Sequence, residues 1–144
     1  MRQSLLLALA ILVAPALAYA FSVAVKDKSA AADGRVFEMR TYIANEGKND
    51  AMHKRFRDHT VTLFKKHGME SVGYWIPEEE KDGAGSTLVY ILAHKSRDEA
   101  KKSWAAFGSD PEWQKVRDAS EVDGKLVKTV ISVYLDPTDY SAIK

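Results

Sequence analysis

The side chains with chemistry to offer in this sequence are its four histidines and an arginine set among aromatic residues. His59 stands between Phe56 and Leu63 at helical spacing, in a stripe that also takes in Met52 and His67. An imidazole there, with an unperturbed pKa of about 6.5, is sensitive to burial and able to serve as an acid or a base. The structural alternative is a core histidine that donates to a carbonyl or to a carboxylate such as Asp58 or Glu38. No second group with a clear catalytic role can be placed beside it, so no catalytic residue is assigned and His59 stands as the candidate. His67 suits the end of a helix, where a cation meets the free carbonyls. His53, His59, His67 and His94 lack the H-x-x-x-H spacing and have no paired carboxylates nearby, so no metal site and no cofactor is expected. One histidine acting as an axial haem ligand is the alternative left open.

Arg40 and Tyr42 share one face of a candidate strand, and Trp75 (or its neighbour Tyr74), Tyr90 and Tyr134 lie on strands that should adjoin it. Arg40, Tyr42, Trp75, Tyr90 and Tyr134 are therefore the expected ligand-binding residues. An arginine among phenols suits a small apolar ligand that carries a carboxylate or a carbonyl. The same residue types also seal subunit interfaces, which is the competing explanation. Trp104 and Trp113 keep helical spacing from apolar neighbours and read as core. With no glycine-rich phosphate loop, no G-x-S-x-G and no Ser-His-Asp set, nucleotide use and serine hydrolysis are disfavoured.

The elements that must position these residues follow from period. Residues 36–43 alternate, with Phe37, Met39, Thr41 and Ile43 on one face and Val36, Glu38, Arg40 and Tyr42 on the other. Turn chemistry at 45–48 leads into a helix that Asn49 or Asp50 can cap and that Gly68 ends. Residues 71–76 alternate again up to Pro77, and 78–86 form an acidic, glycine-containing loop. Residues 87–94 are apolar almost throughout, as in a central strand covered on both faces. Ser96 and Glu99 have capping-box spacing at the head of a second helix, which carries Ala100, Trp104 and Phe107 on its apolar stripe. Asp110-Pro111-Glu112 starts another helix at once, and 126–135 read as the last strand.

This order predicts an α+β, ferredoxin-like βαββαβ fold, a four-stranded antiparallel sheet with helices on one face. Because 87–94 are apolar on both faces, the uncovered face is expected to bury against a second copy of the chain. Val130 and Tyr90 belong at that junction if their faces are the ones that meet.

Lys plus Arg total 21 against 20 Asp plus Glu, with signs interspersed, so no nucleic-acid partner is expected. Arg2 precedes an apolar run over 5–17 that ends in small residues, which reads as a secretory signal peptide over 1–20. That run is shorter than the roughly 20 residues needed to span a bilayer, and Pro15 interrupts it. Residues 21–34 read as a flexible spacer and 35–144 as the folded domain. Without cysteine there is no disulfide, no thiolate nucleophile and no lipid-anchoring thiol.

The motifs FEMRTY at 37–42, Gly47-Lys48, RFRDHT at 55–60, LFKKHGM at 63–69, GYW at 73–75, DPEW at 110–113 and PTDY at 137–140 occur in this order. Through them the chain resembles the NIPSNAP family over 36–140. The resemblance implies a dimeric α/β barrel, a fold whose relatives include small monooxygenases, haem-containing enzymes and members without established chemistry. Animal members of the family are associated with mitochondria, whereas this N-terminus looks like an export signal and not an Arg-rich transit sequence.

The expected function is that of a secreted or periplasmic homodimer binding a small organic ligand in the barrel cavity, with no membrane association after signal cleavage. A cofactor-free monooxygenase or isomerase is the enzymatic alternative, and a protein interaction module is the third. Intact-mass measurement of the exported protein is expected to place its first residue at Tyr19 or Phe21, after cleavage behind Ala18 or Ala20; a mature form that keeps residues 5–17 would point to a membrane anchor instead.

Overall fold

The computed structural model describes residues 34–144. The expected signal peptide, and the spacer up to its last residue, lie outside the described residues. The alternating segment forms β1 (Val36–Ala44), followed by a helix, α1, that runs over 49–66. Neither Asn49 nor Asp50 caps α1. Its N-cap is Lys48, without a side-chain hydrogen bond.

The middle of α1 is not α-helical. Asn49–Arg55 and Val61–Lys66 are α-helix, and Phe56–Thr60 between them is a π turn. A π turn fits an extra residue into the helix, so the buried face downstream is offset from the face upstream. The inward residues pass from Met52, Arg55 and Phe56 to Thr60, Leu63 and Phe64, and the turn rotates His59 out to solvent. This overturns the expected stripe through His59, which rested on an unbroken 3.6-residue period. Thr60 Oγ1 donates to the Arg55 carbonyl at 3.2 Å, giving that carbonyl a partner inside the irregular turn.

The end of α1 follows its sequence closely. Gly68 takes a φ of 72°, the Met69 amide bonds the Phe64 carbonyl at 2.9 Å, and the Gly68 amide bonds that of Lys65 at 3.1 Å. These two bonds make a Schellman stop, and Phe64 and Met69 are both buried against it. The reversal delivers the chain into β2 (Glu70–Trp75).

After a loop that holds a 3-10 turn at Glu80–Asp82, the chain forms β3 (Thr87–His94), α2 (Arg97–Ser109), α3 (Pro111–Ser120) and β4 (Val127–Leu135). Ser96 Oγ accepts from the Glu99 amide at 3.1 Å, and Asp110 Oδ1 accepts from that of Glu112 at 2.9 Å, so both helices start where their caps predict. None of these helices is long and apolar enough to cross a membrane.

The sheet is antiparallel, in the order β2-β3-β1-β4, as the ferredoxin-like reading requires. Arg40 lies opposite Tyr90 and Ser132, and Tyr42 opposite Leu88 and Val130. This face packs under the helices, in a core that includes Met52, Phe64, Tyr90 and Leu92. The other face presents Phe37, Met39, Ile91, Ile131, Val133 and Leu135 and carries no helix. On it Ile131 is 48% exposed, Val133 40% and Leu135 37%. Val130 and Tyr90 therefore look toward the helices, not toward the face left free.

Gly68 tests the helix stop. A Cβ there would meet only Ser103 Oγ, at 4.0 Å. The cost of Gly68→Ala is then one of backbone conformation, and urea denaturation is expected to show a loss of about 1–2 kcal/mol.

Candidate functional site

A cavity of about 160 Å³ lies between α1, the α2–α3 corner and the β4 side of the sheet. The π turn and its borders supply Arg55, Phe56 and Thr60, and Phe64 follows one turn later. From the sheet come Tyr42, Val127 and Val130, while Phe107 and Trp113 close the far side. The walls are aromatic edges and faces. The rings of Tyr42 and Phe56 meet edge to face at 5.7 Å, and those of Phe107 and Trp113 lie 4.4 Å apart.

Arg55 is the polar feature of this cavity. It is 5% exposed, and its guanidinium lies 5.2 Å above the centre of the Trp113 ring. Nη1 donates to Glu121 Oε1 at 2.9 Å and to Ser120 Oγ at 3.2 Å, which ties α1 to the end of α3. Nε is buried and has no hydrogen-bond partner among the described residues. A buried donor left in that condition costs about 1–3 kcal/mol unless a ligand or water meets it.

Along β1 from the cavity sits a buried carboxylate, Glu38, 1% exposed. It accepts from Arg40 Nη1 at 2.7 Å, Ser132 Oγ at 2.6 Å and Trp104 Nε1 at 2.6 Å. His94 Nε2 lies 3.2 Å away and must carry its proton, since an ionised carboxylate can only accept. Burial alone would raise the Glu38 pKa, but His94, Ser132, Trp104 and the Arg40 charge together hold it down at about 2. The Arg40 guanidinium stacks 4.1 Å above Trp104 and 5.7 Å from the Tyr42 ring. Its charge is thus engaged by Glu38 inside the protein. Tyr90 is wholly buried, and burial pushes its hydroxyl well above the usual phenol range.

Of the residues expected to bind ligand, Arg40, Tyr42, Tyr90 and Tyr134 do share a sheet face, but that face is the one under the helices. Only Tyr42 among them lines the cavity. Tyr134 lies farther along β4, with the Arg97 guanidinium 3.5 Å from its ring centre. Trp75 points to the opposite face and is 50% exposed, while Tyr74 takes the inward place opposite Tyr90. A register shift between Ser71 and Gly73 breaks the alternation of β2 and lets Ser71 Oγ reach Tyr74 Oη at 2.6 Å.

His59 lies in a groove between α1 and α3 that Arg55 also borders, and Glu38 has His94 as its histidine partner instead. His67 Nε2 contacts Asp110 Oδ2 at 2.6 Å, joining the end of α1 to the N-cap of α3. Among the described residues no group of three or more histidines and carboxylates could hold a metal ion. Sequence reasoning missed Arg55, whose neighbours Arg57 and Asp58 make it look like part of a solvated charge run. It also missed Trp113 as a cavity wall. The available signal was the placement of Arg55 immediately before buried Phe56, and it becomes legible only once the π turn is known.

The NIPSNAP family model matches residues 37–142. The chain belongs to the NIPSNAP family. Among solved structures, a NIPSNAP family protein of unknown function from Agrobacterium tumefaciens is 26% identical, with a TM-score of 0.66, covering 78% of this chain and 96% of that one. A second Agrobacterium tumefaciens NIPSNAP family protein is 21% identical with a TM-score of 0.66, covering 76% of this chain and 99% of that one. An uncharacterized NIPSNAP-like domain protein from Burkholderia xenovorans is 16% identical with a TM-score of 0.64, covering 76% and 90% respectively. No curated protein matches. The α+β architecture of this NIPSNAP protein is thus shared with relatives over nearly their whole length.

The Glu38 cluster gives this NIPSNAP domain a defined acid response. Its folded-state pKa of about 2 lies below the ordinary 4.5. Its stabilising contribution is therefore complete above about pH 4.5 and is lost as pH falls through about 2. Glu38→Gln is expected to cost on the order of 3–5 kcal/mol at pH 7, since it strands Arg40 in the interior. Urea denaturation at pH 7 and pH 3 should show the difference between the two proteins shrinking at the lower pH.

Proposed function

We propose that this NIPSNAP protein is an exported homodimer that binds a small organic ligand in the cavity beneath its helices. The observation that carries the reading is the pairing of a largely aromatic cavity with a buried arginine whose Nε lacks a partner. A cavity of about 160 Å³ is near the roughly 150 Å³ that accepts benzene in a protein core, so the ligand is of single-ring size. Binding is favoured over acid-base catalysis because His59, the acid-base candidate of the sequence, is exposed and does not line the cavity.

The dimer reading rests on the free sheet face. Ile131, Val133 and Leu135 form an apolar strip there at the edge strand, and Ile91 and Met39 continue it inward. A second copy presenting the same face would bury this strip by two-fold symmetry, leaving the helices outside and the two ligand cavities apart. Export rests on the apolar run and small residues over 5–20.

Native mass spectrometry of the purified mature protein is expected to show a dimer with a small retained molecule, and a mass equal to the bare polypeptide at every charge state would count against the ligand. Sedimentation should find Ile131→Asp dissociating about 100-fold more readily, because a buried unpaired charge costs several kcal/mol. Val130→Asp, on the other face, should leave the dimer intact. His59→Gln is expected to change stability by no more than about 0.5 kcal/mol and to leave ligand retention unaltered.

A further inference from the structure

Arg55 makes its hydrogen bonds through one nitrogen. Both Glu121 and Ser120 are reached by Nη1, while Nε is buried without a partner and Nη2 makes no hydrogen bond among the described residues. Nε and Nη2 form the side-on edge of a guanidinium, the edge that grips a carboxylate with two parallel bonds. The charge balance also leaves room for an anion. Glu121 is 23% exposed, so water screens its hold on Arg55, whereas the Arg55 side chain is 5% exposed and lines a cavity with aromatic walls.

The walls restrict the rest of the ligand. Trp113 and Phe107 on one side and Tyr42 and Phe56 on the other present ring faces and edges, a setting for a flat, polarisable body. Val130 lines the same cavity and is 45% exposed, so the cavity opens beside β4. We propose that the ligand is a small planar carboxylate, of the aromatic acid class, held side-on by Arg55 with its ring between the aromatic walls and entering past Val130. This rests on the cavity being the ligand site, and it adds the chemical class and the residue that selects it.

Calorimetric titration of the mature, ligand-stripped protein with benzoate and with its neutral isostere benzamide separates the two claims. Benzoate is expected to bind at least about tenfold more tightly, since a hydrogen bond to an ionised group is roughly twice as strong as one to a neutral group. Arg55→Gln should remove that preference and leave the two probes equal. Should Arg55→Gln not fold once the Glu121 pair is broken, Val130→Trp serves instead: it fills the entrance from an exposed position and should abolish benzoate binding with the dichroism spectrum unchanged. Equal affinity of the wild-type protein for both probes would overturn the carboxylate inference and keep the ligand cavity. Undiminished benzoate binding by folded Val130→Trp would place the anion elsewhere and overturn the inference too, and no binding of either probe would sink the ligand cavity along with it.

Discussion

A carboxylate cannot be taken out of water cheaply, and Glu38 is almost entirely out of it. The charge is tolerable because donors converge on it from different parts of the fold: Arg40 from β1 itself, His94 from the end of β3, Ser132 from β4 and Trp104 from α2. Each donor arrives only if its element is in register. A slip of one residue between β1 and either neighbour would turn Glu38 to the other face and leave Arg40 without its partner. The cluster thus fixes the alignment of β1 against both flanking strands and the seat of α2 upon them. It also separates the two buried arginines: Arg40 is matched to Glu38 away from the cavity, whereas Arg55 lines it.

The second constraint is the π turn at Phe56–Thr60. Without it, α1 would carry His59 inward on the stripe set by Met52 and Phe56. With it, Arg55 and Phe56 are buried side by side, Thr60 takes the next inward place and the helix still meets Leu63 and Phe64 at its other end. The irregular turn therefore creates the cavity lining. It is a local departure from regular geometry at the point where the molecule has its clearest means of holding something.

The contrast between what the sequence reveals and what it conceals follows from the range of the forces involved. Strand alternation at Phe37 to Ile43, the glycine stop after His67 and the Asp110-Pro111 start are local decisions, made by neighbours within a few residues, and each is visible in the letters. The choice of face for Arg40 and Tyr42 is not local. Both faces of β1 are partly apolar, and the helices settle on the one that offers Glu38 to Trp104. Likewise Trp75 and Tyr74 exchange roles at an irregularity in pairing with β3, of which Gly73 inside the strand is the one local sign. His59 was misplaced for the same kind of reason, since the π turn depends on how both ends of α1 pack. The family was legible through the motifs at 37–42, 63–69 and 137–140, but the arginine that lines the cavity was not.

The sheet order places the first strand between β3 and β4, so Phe37 pairs with Leu135, near the opposite end of the domain. Contacts so far apart in sequence make the route to the native state slow relative to a helical protein of this size. β1 can join β3 while the chain is still growing, but its second hydrogen-bonding edge stays bare until the final strand has emerged. A polypeptide cut before Val127 lacks that strand altogether and carries an open edge through the middle of what should be its core.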